Sequence, residues 1–280
     1  MRAALSKLII MLLLVAPVAF GKEADGVAAI WRHDPARDNV GRVYVYERTN
    51  HDGSLPERIL VYRKSTRELE VFKSISPGQG AALVTAELDP ATASAVRLTG
   101  GRLLPEAKVH RFAYLTWNST ADTSHIRVEL PDTLIRNEAQ VARVPWHVYD
   151  FDLASLSAMT PHLIDPTRGF SFGLALTWTD PSVSDMYTWL GEVTAEYEGE
   201  EVRLGAATLR YTLTGSAFAG GRATGDRGEL WLDARDGHIV EAQLPIPNHV
   251  GYRDFRLRLL DVVKSTDAAW KARLRAHFAD

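Results

Sequence analysis

The stretch LWLDARDGHIVEAQL, residues 230–244, contains the clearest turn signal of the chain. On both sides of DARDG, residues 233–237, the side chains alternate between two faces, which is typical of two β-strands joined by a hairpin. An Asp that opens a four-residue helical-type turn can accept hydrogen bonds from the backbone of the turn, and a closing Gly takes the positive φ that a Cβ disfavours. We therefore predict that Asp233 and Gly237 shape this turn.

Other segments have the same period of two, which predicts antiparallel strands exposed to water on one side. Two early runs, RVYVYER at residues 42–48 and RILVYR at residues 58–63, are instead apolar on both faces. Such strands either have other elements packed on both faces or line an apolar cavity with one face. The turn residues NHDG between them predict a hairpin with a loop longer than two residues. The alternating segments are residues 126–130, 171–178, 208–213 and 255–259.

Helical spacing is limited to two segments. DLASLSAM, residues 152–159, predicts a short helix between two blocks of strands. After Ser265, Thr266 and Asp267, apolar residues at helical spacing predict a C-terminal helix that packs on the sheet. Many regularly spaced strands and few helices favour a sandwich or a barrel over a βαβ sheet.

The first 21 residues have the pattern of a secretory signal peptide. The basic residues Arg2 and Lys7 precede the apolar core LIIMLLLVA, and small residues follow this core up to Gly21. Because a bilayer span needs about 20 apolar residues, cleavage is favoured over a retained membrane anchor. We predict a periplasmic or secreted protein without a stable membrane span, in which residues 22–280 form a single β-rich domain.

Charge and cysteine content restrict the function. The chain has no cysteine, so lipid attachment through Cys, disulfides and thiolate chemistry are excluded. Loss of Arg2 and Lys7 with the signal peptide would change the formal net charge from −3 to −5. This balance gives no electrostatic reason to expect binding to nucleic acid or to anionic lipid surfaces.

The hairpin motif, an apolar–Trp–apolar–Asp run closed by Gly and followed by an apolar strand, resembles the hairpin of periplasmic half-barrel proteins. These are the lipoprotein carriers LolA and LolB, the sigma-factor regulator RseB, and most closely an uncharacterised bacterial domain family of the same type. GGRLLPEAKVHRFAYL at residues 100–115 and YDFDLASLSA at residues 149–158 are also similar to elements of that family. The resemblance implies a curved antiparallel sheet around a hydrophobic cavity that helices plug.

Pattern and resemblance together predict a mainly β fold: a single curved antiparallel sheet, half-barrel or barrel-like, with a short inserted helix and a C-terminal helix. By analogy of fold, we expect a non-enzymatic protein that binds a lipid, an acyl chain, another hydrophobic molecule or a lipoprotein in the concavity. Two alternatives stay open. One is an enzyme on the same scaffold, as the similar fold of the biosynthetic enzyme VioE allows. The other is an envelope protein-interaction module, as RseB allows.

Candidates for chemistry are few. His147 and Asp150, in HVYDFD, could share a metal ion or a proton. A zinc site usually has two His on one helix face or a second cluster of ligands, and the sequence shows neither. Nucleophile motifs and a phosphate-binding glycine loop are missing as well. We therefore assign no catalytic residue, no metal and no cofactor.

Aromatic residues are the better candidates for ligand contacts. Core packing explains most of the seven tryptophans. The alternative is that Trp146, Tyr149, Phe151, Trp178 and Trp231 line an apolar cavity. Trp178 shares a face with Phe and Leu and is expected in the core, whereas Trp231 is out of phase with its neighbouring leucines. We predict Trp146, Tyr149, Phe151 and Trp231 as ligand-binding residues.

Overall fold

The computed structural model describes residues 30–120, 123–177 and 187–279. The predicted signal peptide and Trp178 lie outside the described residues, and the single-domain assignment of residues 22–280 stays a prediction. The strands are β1 (Arg42–Thr49), β2 (Glu57–Arg63), β3 (Glu68–Ser74), β4 (Ala81–Leu88), β5 (Ala95–Leu104), β6 (Lys108–Ser119), β7 (Ser124–Leu130), β8 (Ile135–Gln140), β9 (Trp146–Val148), β10 (Phe170–Thr177), β11 (Tyr187–Arg203), β12 (Ala206–Thr214), β13 (Gly228–Asp233), β14 (Ile239–Leu244) and β15 (Phe255–Lys264).

All fifteen described strands belong to one curved, unclosed sheet. Its order is β8-β7-β6-β5-β4-β3-β2-β1-β15-β14-β13-β12-β11-β10-β9. The first and last strands therefore pair at the centre, and the edges come from the middle of the chain. Neighbours are antiparallel, except that β9 and β10 are parallel. The edge strand β8 also contacts β11, although the two are not neighbours in the sheet, so the sheet curls strongly.

The predicted helices are present, which confirms the mainly β fold with a single curved sheet, an inserted helix and a C-terminal helix. Helix α1 (Ala154–Met159) lies in the chain between β9 and β10, and helix α2 (Asp267–Ala276) follows β15. Helix α2 begins as expected for a capped helix, because the Thr266 side chain accepts a hydrogen bond from the Ala269 amide.

The main hydrophobic core fills the concavity of the sheet. We call residues 149–163 the plug, the face of the sheet that packs on it the inner face, and the opposite face the outer face. Burial of the apolar side chains of the plug against both halves of the sheet supplies the main stabilising free energy of this region. Core residues come from the plug (Phe151, Leu156, Met159), from β1–β3 (Tyr46, Ile59, Leu69) and from β10–β15 (Phe172, Leu230, Phe255).

A second, smaller core lies on the outer face. Trp270 and Leu274 of helix α2 pack on Val43, Leu60 and Phe72, which belong to β1, β2 and β3. The central strands are therefore covered on both faces, by the plug inside and by the helix outside. This arrangement explains why their sequences are apolar on both faces.

The hairpin between β13 and β14 has the predicted turn. Asp233 Oδ1 accepts hydrogen bonds from the amides of Arg235 at 3.0 Å and Asp236 at 2.6 Å. Gly237 has a φ of +74°, and a Cβ placed there would lie 2.6 Å from Pro161 Cα. The turn glycine is therefore needed for its conformation and for close contact between the hairpin and the plug.

We expect Gly237→Val to destabilise the fold without selective loss of any activity. Gly205→Val is the matched control, because Gly205 has a φ of +81° and a Cβ at this position would meet no atom within 4 Å. Both substitutions carry backbone strain of about 1–3 kcal/mol, and only Gly237→Val adds overlap worth about 1–3 kcal/mol more. Urea unfolding measures the difference. Equal losses would contradict the contact with the plug.

Candidate functional site

Three of the four predicted ligand-binding residues lie together where β9 leads into the plug. Trp146, Tyr149 and Phe151 are at most 1% exposed. The Trp146 amide donates to Ser94 Oγ at 3.0 Å, and the Tyr149 hydroxyl donates to the Ile246 carbonyl at 2.7 Å. These aromatic side chains are part of the main core, at the base of the segment that fills the concavity.

Trp231 lies apart from the other three, on the outer face. It alternates with Leu230 and Leu232, which belong to the main core. The Arg203 guanidinium stacks over the indole at 4.3 Å, and the indole N–H donates to Glu201 Oε1. The structure therefore brings Trp146, Tyr149 and Phe151 together and does not bring Trp231 to them.

A buried carboxylate attaches the plug to the sheet. The side chain of Asp152 is fully buried and forms ion pairs with Arg48 of β1 at 3.1 Å and Lys73 of β3 at 2.6 Å. Asn248, in the loop before β15, donates to Asp152 Oδ1 at 2.9 Å. Arg48 also pairs with Glu57 of β2. We call these five residues the anchor cluster.

The neighbouring charges in the anchor cluster favour the charged forms of Asp152 and Arg48. Burial alone would raise the pKa of Asp152, but Lys73 and Arg48 outweigh burial and hold this pKa below its ordinary value. Burial would likewise lower the pKa of Arg48, and the negative charges of Asp152 and Glu57 raise it instead. The plug is therefore held by an ion pair that water does not screen.

The backbone of the plug is strained at the same place. Asp152 and Leu153 have φ values of +51° and +58°. Residues with a Cβ rarely adopt this left-handed region, and each such residue costs about 1–3 kcal/mol. The contacts of Asp152 hold the first turn of the plug in this conformation. Their loss would favour a different path for the plug.

His147 and Asp150, the predicted polar pair, have separate partners. His147 Nδ1 lies 3.0 Å from Ser155 Oγ, and burial lowers the pKa of His147 to about 3. Asp150 accepts a hydrogen bond from the Thr177 hydroxyl at 2.5 Å, and burial raises its pKa. A shared proton or metal ion is not part of this arrangement, and the enzymatic alternative stays a prediction.

The sequence analysis missed the cations of the anchor cluster. Arg48 stands near the end of the apolar run of β1 in YVYER, and Lys73 directly follows Val71 and Phe72 of β3 in EVFKS. A cation within such a run is a signal for a buried charge, because an unpaired one is costly to bury. Their common partner Asp152 is distant in sequence, and this pairing has no local signal.

Two cavities of the described residues lie outside the concavity, and a very small one lies beside the plug. A space of about 340 Å³ lies between helix α2 and β4–β6, and one of about 750 Å³ lies between residues 35–42 and 264–269. Between the plug and β1–β3 the space is only about 10 Å³, about the minimum for one water molecule. A ligand in the concavity would therefore have to displace the plug.

Among the helices of the described ranges, none has both the length and the apolar character needed to cross a membrane.

No family model and no curated protein matches the sequence, but comparison with solved structures finds similar ones, of which two are described. One is a domain from Vibrio parahaemolyticus provisionally described as an outer membrane lipoprotein-sorting protein. It is 11% identical, with 86% of this chain and 94% of that chain covered and a TM-score of 0.21. The other is a DUF1329 family protein from Desulfovibrio piger. It is 8% identical, with 87% and 92% covered and a TM-score of 0.26.

The described sheet confirms the fold that the hairpin resemblance predicted, since it is one curved, unclosed sheet with a plugged concavity. Likenesses with TM-scores this low carry no argument about function, so what the protein binds has to follow from its own residues.

We expect Asp152→Asn to lower the free energy of unfolding by about 3–5 kcal/mol, because it leaves Arg48 and Lys73 buried without their common carboxylate. Urea unfolding measures the loss. Asp267→Asn is the control, since Asp267 is exposed at the start of helix α2 and should cost at most about 1 kcal/mol. A loss below about 1 kcal/mol in Asp152→Asn would contradict the role of the anchor cluster.

The low pKa of His147 predicts a pH dependence. The unfolded chain takes up a proton on this side chain below about pH 6.5, whereas the folded protein does so only near pH 3. Stability from this group is therefore present above pH 6.5 and falls as the pH decreases, by up to about 1.4 kcal/mol per pH unit. Unfolding of His147→Gln between pH 7 and pH 4.5 should show a shallower slope. The exposed His249→Gln should keep the wild-type slope.

Proposed function

We propose that the protein is a non-enzymatic periplasmic or secreted protein that binds a hydrophobic ligand in the concavity of its sheet. The ligand is a lipid, an acyl chain or the acyl part of a lipoprotein. One observation carries the proposal: the inner face is apolar along both halves of the sheet, and the short plug, residues 149–163, packs into the same core. The predicted signal peptide supports the location.

Release of the plug is the step that admits the ligand. An acyl chain would replace the apolar side chains of the plug against the same inner face, gaining about 0.8 kcal/mol for each methylene group that leaves water. The ligand has to offset both the anchor, worth a few kcal/mol, and the lost burial of the apolar side chains of the plug. A long acyl chain, which buries more apolar surface than the plug does, meets this requirement. The strained backbone at Asp152 and Leu153 lowers the cost of release.

The anchor cluster also explains why the closed form has one defined structure. Apolar contacts alone would let the plug slide along the inner face, because they have no direction. Asp152 meets Arg48 and Lys73 at fixed positions on β1 and β3. The ion pairs thus hold a movable segment in one register, which is a known use of buried charges.

Trp146, Tyr149 and Phe151 are the proposed ligand contacts. They lie where the plug joins the sheet, and their rings already form part of the apolar inner surface. Release of residues beyond Phe151 would turn these rings toward the entering chain. Trp231 is not among the proposed contacts in the concavity, because its side chain lies on the outer face.

The experiment combines lipid analysis with a dye assay. We expect protein purified from a bacterial envelope to carry extractable lipid or fatty acid, detected by mass spectrometry. We also expect it to enhance the fluorescence of N-phenyl-1-naphthylamine. Asn248→Ala removes hydrogen bonds to Asp152, Arg48 and the Tyr149 carbonyl and keeps the ion pairs, so dye uptake should become faster.

Thr266→Ala is the matched control. It removes the cap of helix α2 on the outer face, at a cost of about 1 kcal/mol, and should leave dye uptake unchanged. If neither the wild-type protein nor Asn248→Ala binds lipid or dye, ligand binding in the concavity is wrong. Equal acceleration by both variants would show that general destabilisation, rather than release of the plug, admits the dye.

A further inference from the structure

The hairpin turn contains a buried side chain that turn formation does not explain. His238 is 5% exposed, and neither of its ring nitrogens has a hydrogen-bond partner. One ring nitrogen of His238 and carboxylate oxygens of Asp233 and Asp236 all lie within 4.8 Å of one another. The imidazole is therefore directed at two carboxylates but is too far from them for a hydrogen bond. An ion between the three side chains would satisfy the imidazole nitrogen.

We propose that Asp233, Asp236 and His238 bind one zinc ion at the surface end of this hairpin. This inference goes beyond the binding of a hydrophobic ligand and does not depend on it. It also departs from the expectation that the protein has no metal site, because spacing along the sequence did not show that the turn brings these three residues together.

The turn orients two of the proposed ligands, Asp233 and His238, before a zinc ion binds. Asp233 Oδ1 accepts two backbone hydrogen bonds from the turn, which orients the carboxylate and leaves its other oxygen for the metal. His238 follows Gly237 directly, and its ring packs against Tyr44 with the ring centroids 4.9 Å apart. Zinc ligands at bond lengths of about 2.0–2.2 Å stand about 3–3.5 Å apart. Closure by roughly 1 Å is within the reach of side-chain rotation.

Two arginines compete for Asp236. Arg42 donates to its Oδ2 at 2.6 Å, and Arg235 lies 3.3 Å from its Oδ1. The Arg235 side chain is 88% exposed, so it can turn into solvent at little cost. Zinc can then bind Oδ1 while Arg42 keeps Oδ2 and orients the carboxylate, as partners of metal-bound carboxylates commonly do.

The donor set selects the metal. One imidazole and two carboxylates suit zinc, whereas calcium and magnesium prefer sites built from oxygen ligands alone. Three protein ligands leave a fourth position of a tetrahedral zinc ion for water. Asp233 and Asp236 are half-buried at the surface, so the ion can enter from solvent.

We do not propose a second cluster of His and Asp as a zinc site. His33, Asp38 and His162 are also close together. However, His162 Nδ1 accepts a hydrogen bond from the Asp34 amide at 3.2 Å. The neutral ring therefore carries its proton on Nε2, the nitrogen that faces Asp38, and this nitrogen cannot bind a metal without losing that proton.

The test measures zinc binding by isothermal titration calorimetry on tag-free protein stripped with a chelator. We expect one zinc ion per chain. Asp233→Asn keeps an oxygen that can accept the two turn hydrogen bonds and removes the charge, so its zinc affinity should fall about tenfold or more. Cobalt(II) in place of zinc should give visible absorption bands, and these should weaken in the same variant.

His238→Gln should lose zinc binding, with circular dichroism as the check that it folds. His33→Gln and the exposed His249→Gln are the controls and should bind zinc as the wild-type protein does. The proposal is overturned if the wild-type protein takes up no zinc. It is also overturned if Asp233→Asn binds zinc with wild-type affinity, or if His33→Gln alone abolishes uptake.

Discussion

The carboxylate of Asp152 is charged inside an apolar concavity, and the rest of the structure is arranged around its two cations. An unpaired charge at this position would cost more free energy than a small domain can spare. Arg48 and Lys73 come from β1 and β3, so the ion pairs require the central strands to be in register before the plug can close. Apolar side chains of the same size would often be at least as stabilising. We infer that the charges serve to define one position for a segment that moves.

The two faces of the central strands have different roles. On the outer face, helix α2 covers β1–β3 through the apolar packing of Trp270 and Leu274. The Trp270 indole also donates a hydrogen bond to Glu70 of β3, and Tyr62 of β2 donates one to Asp267. On the inner face, the plug covers the same strands but is held by buried charge and by two left-handed residues. The central strands thus have helix α2 as their outer cover and the plug as their inner cover, and buried ion pairs add to the apolar packing of the plug.

Local patterns predicted the strands β1, β2, β7, β10 and β12–β15, both helices and the turn at Asp233 and Gly237, because each depends on neighbours along the chain. The double covering of β1 and β2 was also visible, in side chains that are apolar on both faces. The position of Trp231 could not be predicted in full: alternation put it opposite Leu230 and Leu232, but only the folded sheet shows which face is inner. The partners of Asp152 and the approach of His238 to two aspartates depend on contacts that periodicity does not encode.

The central pairing of β1 with β15 has a consequence for biosynthesis. Each half of the sheet consists mostly of strands that pair with their neighbours in sequence, but the halves join only through the first and last strands. The join needs contacts between the two ends of the chain, and contacts of such high sequence separation form slowly. The complete sheet cannot exist until the C-terminal strand has left the ribosome. Late completion keeps the sheet incomplete for longer, which would suit the proposed export of the chain before it folds.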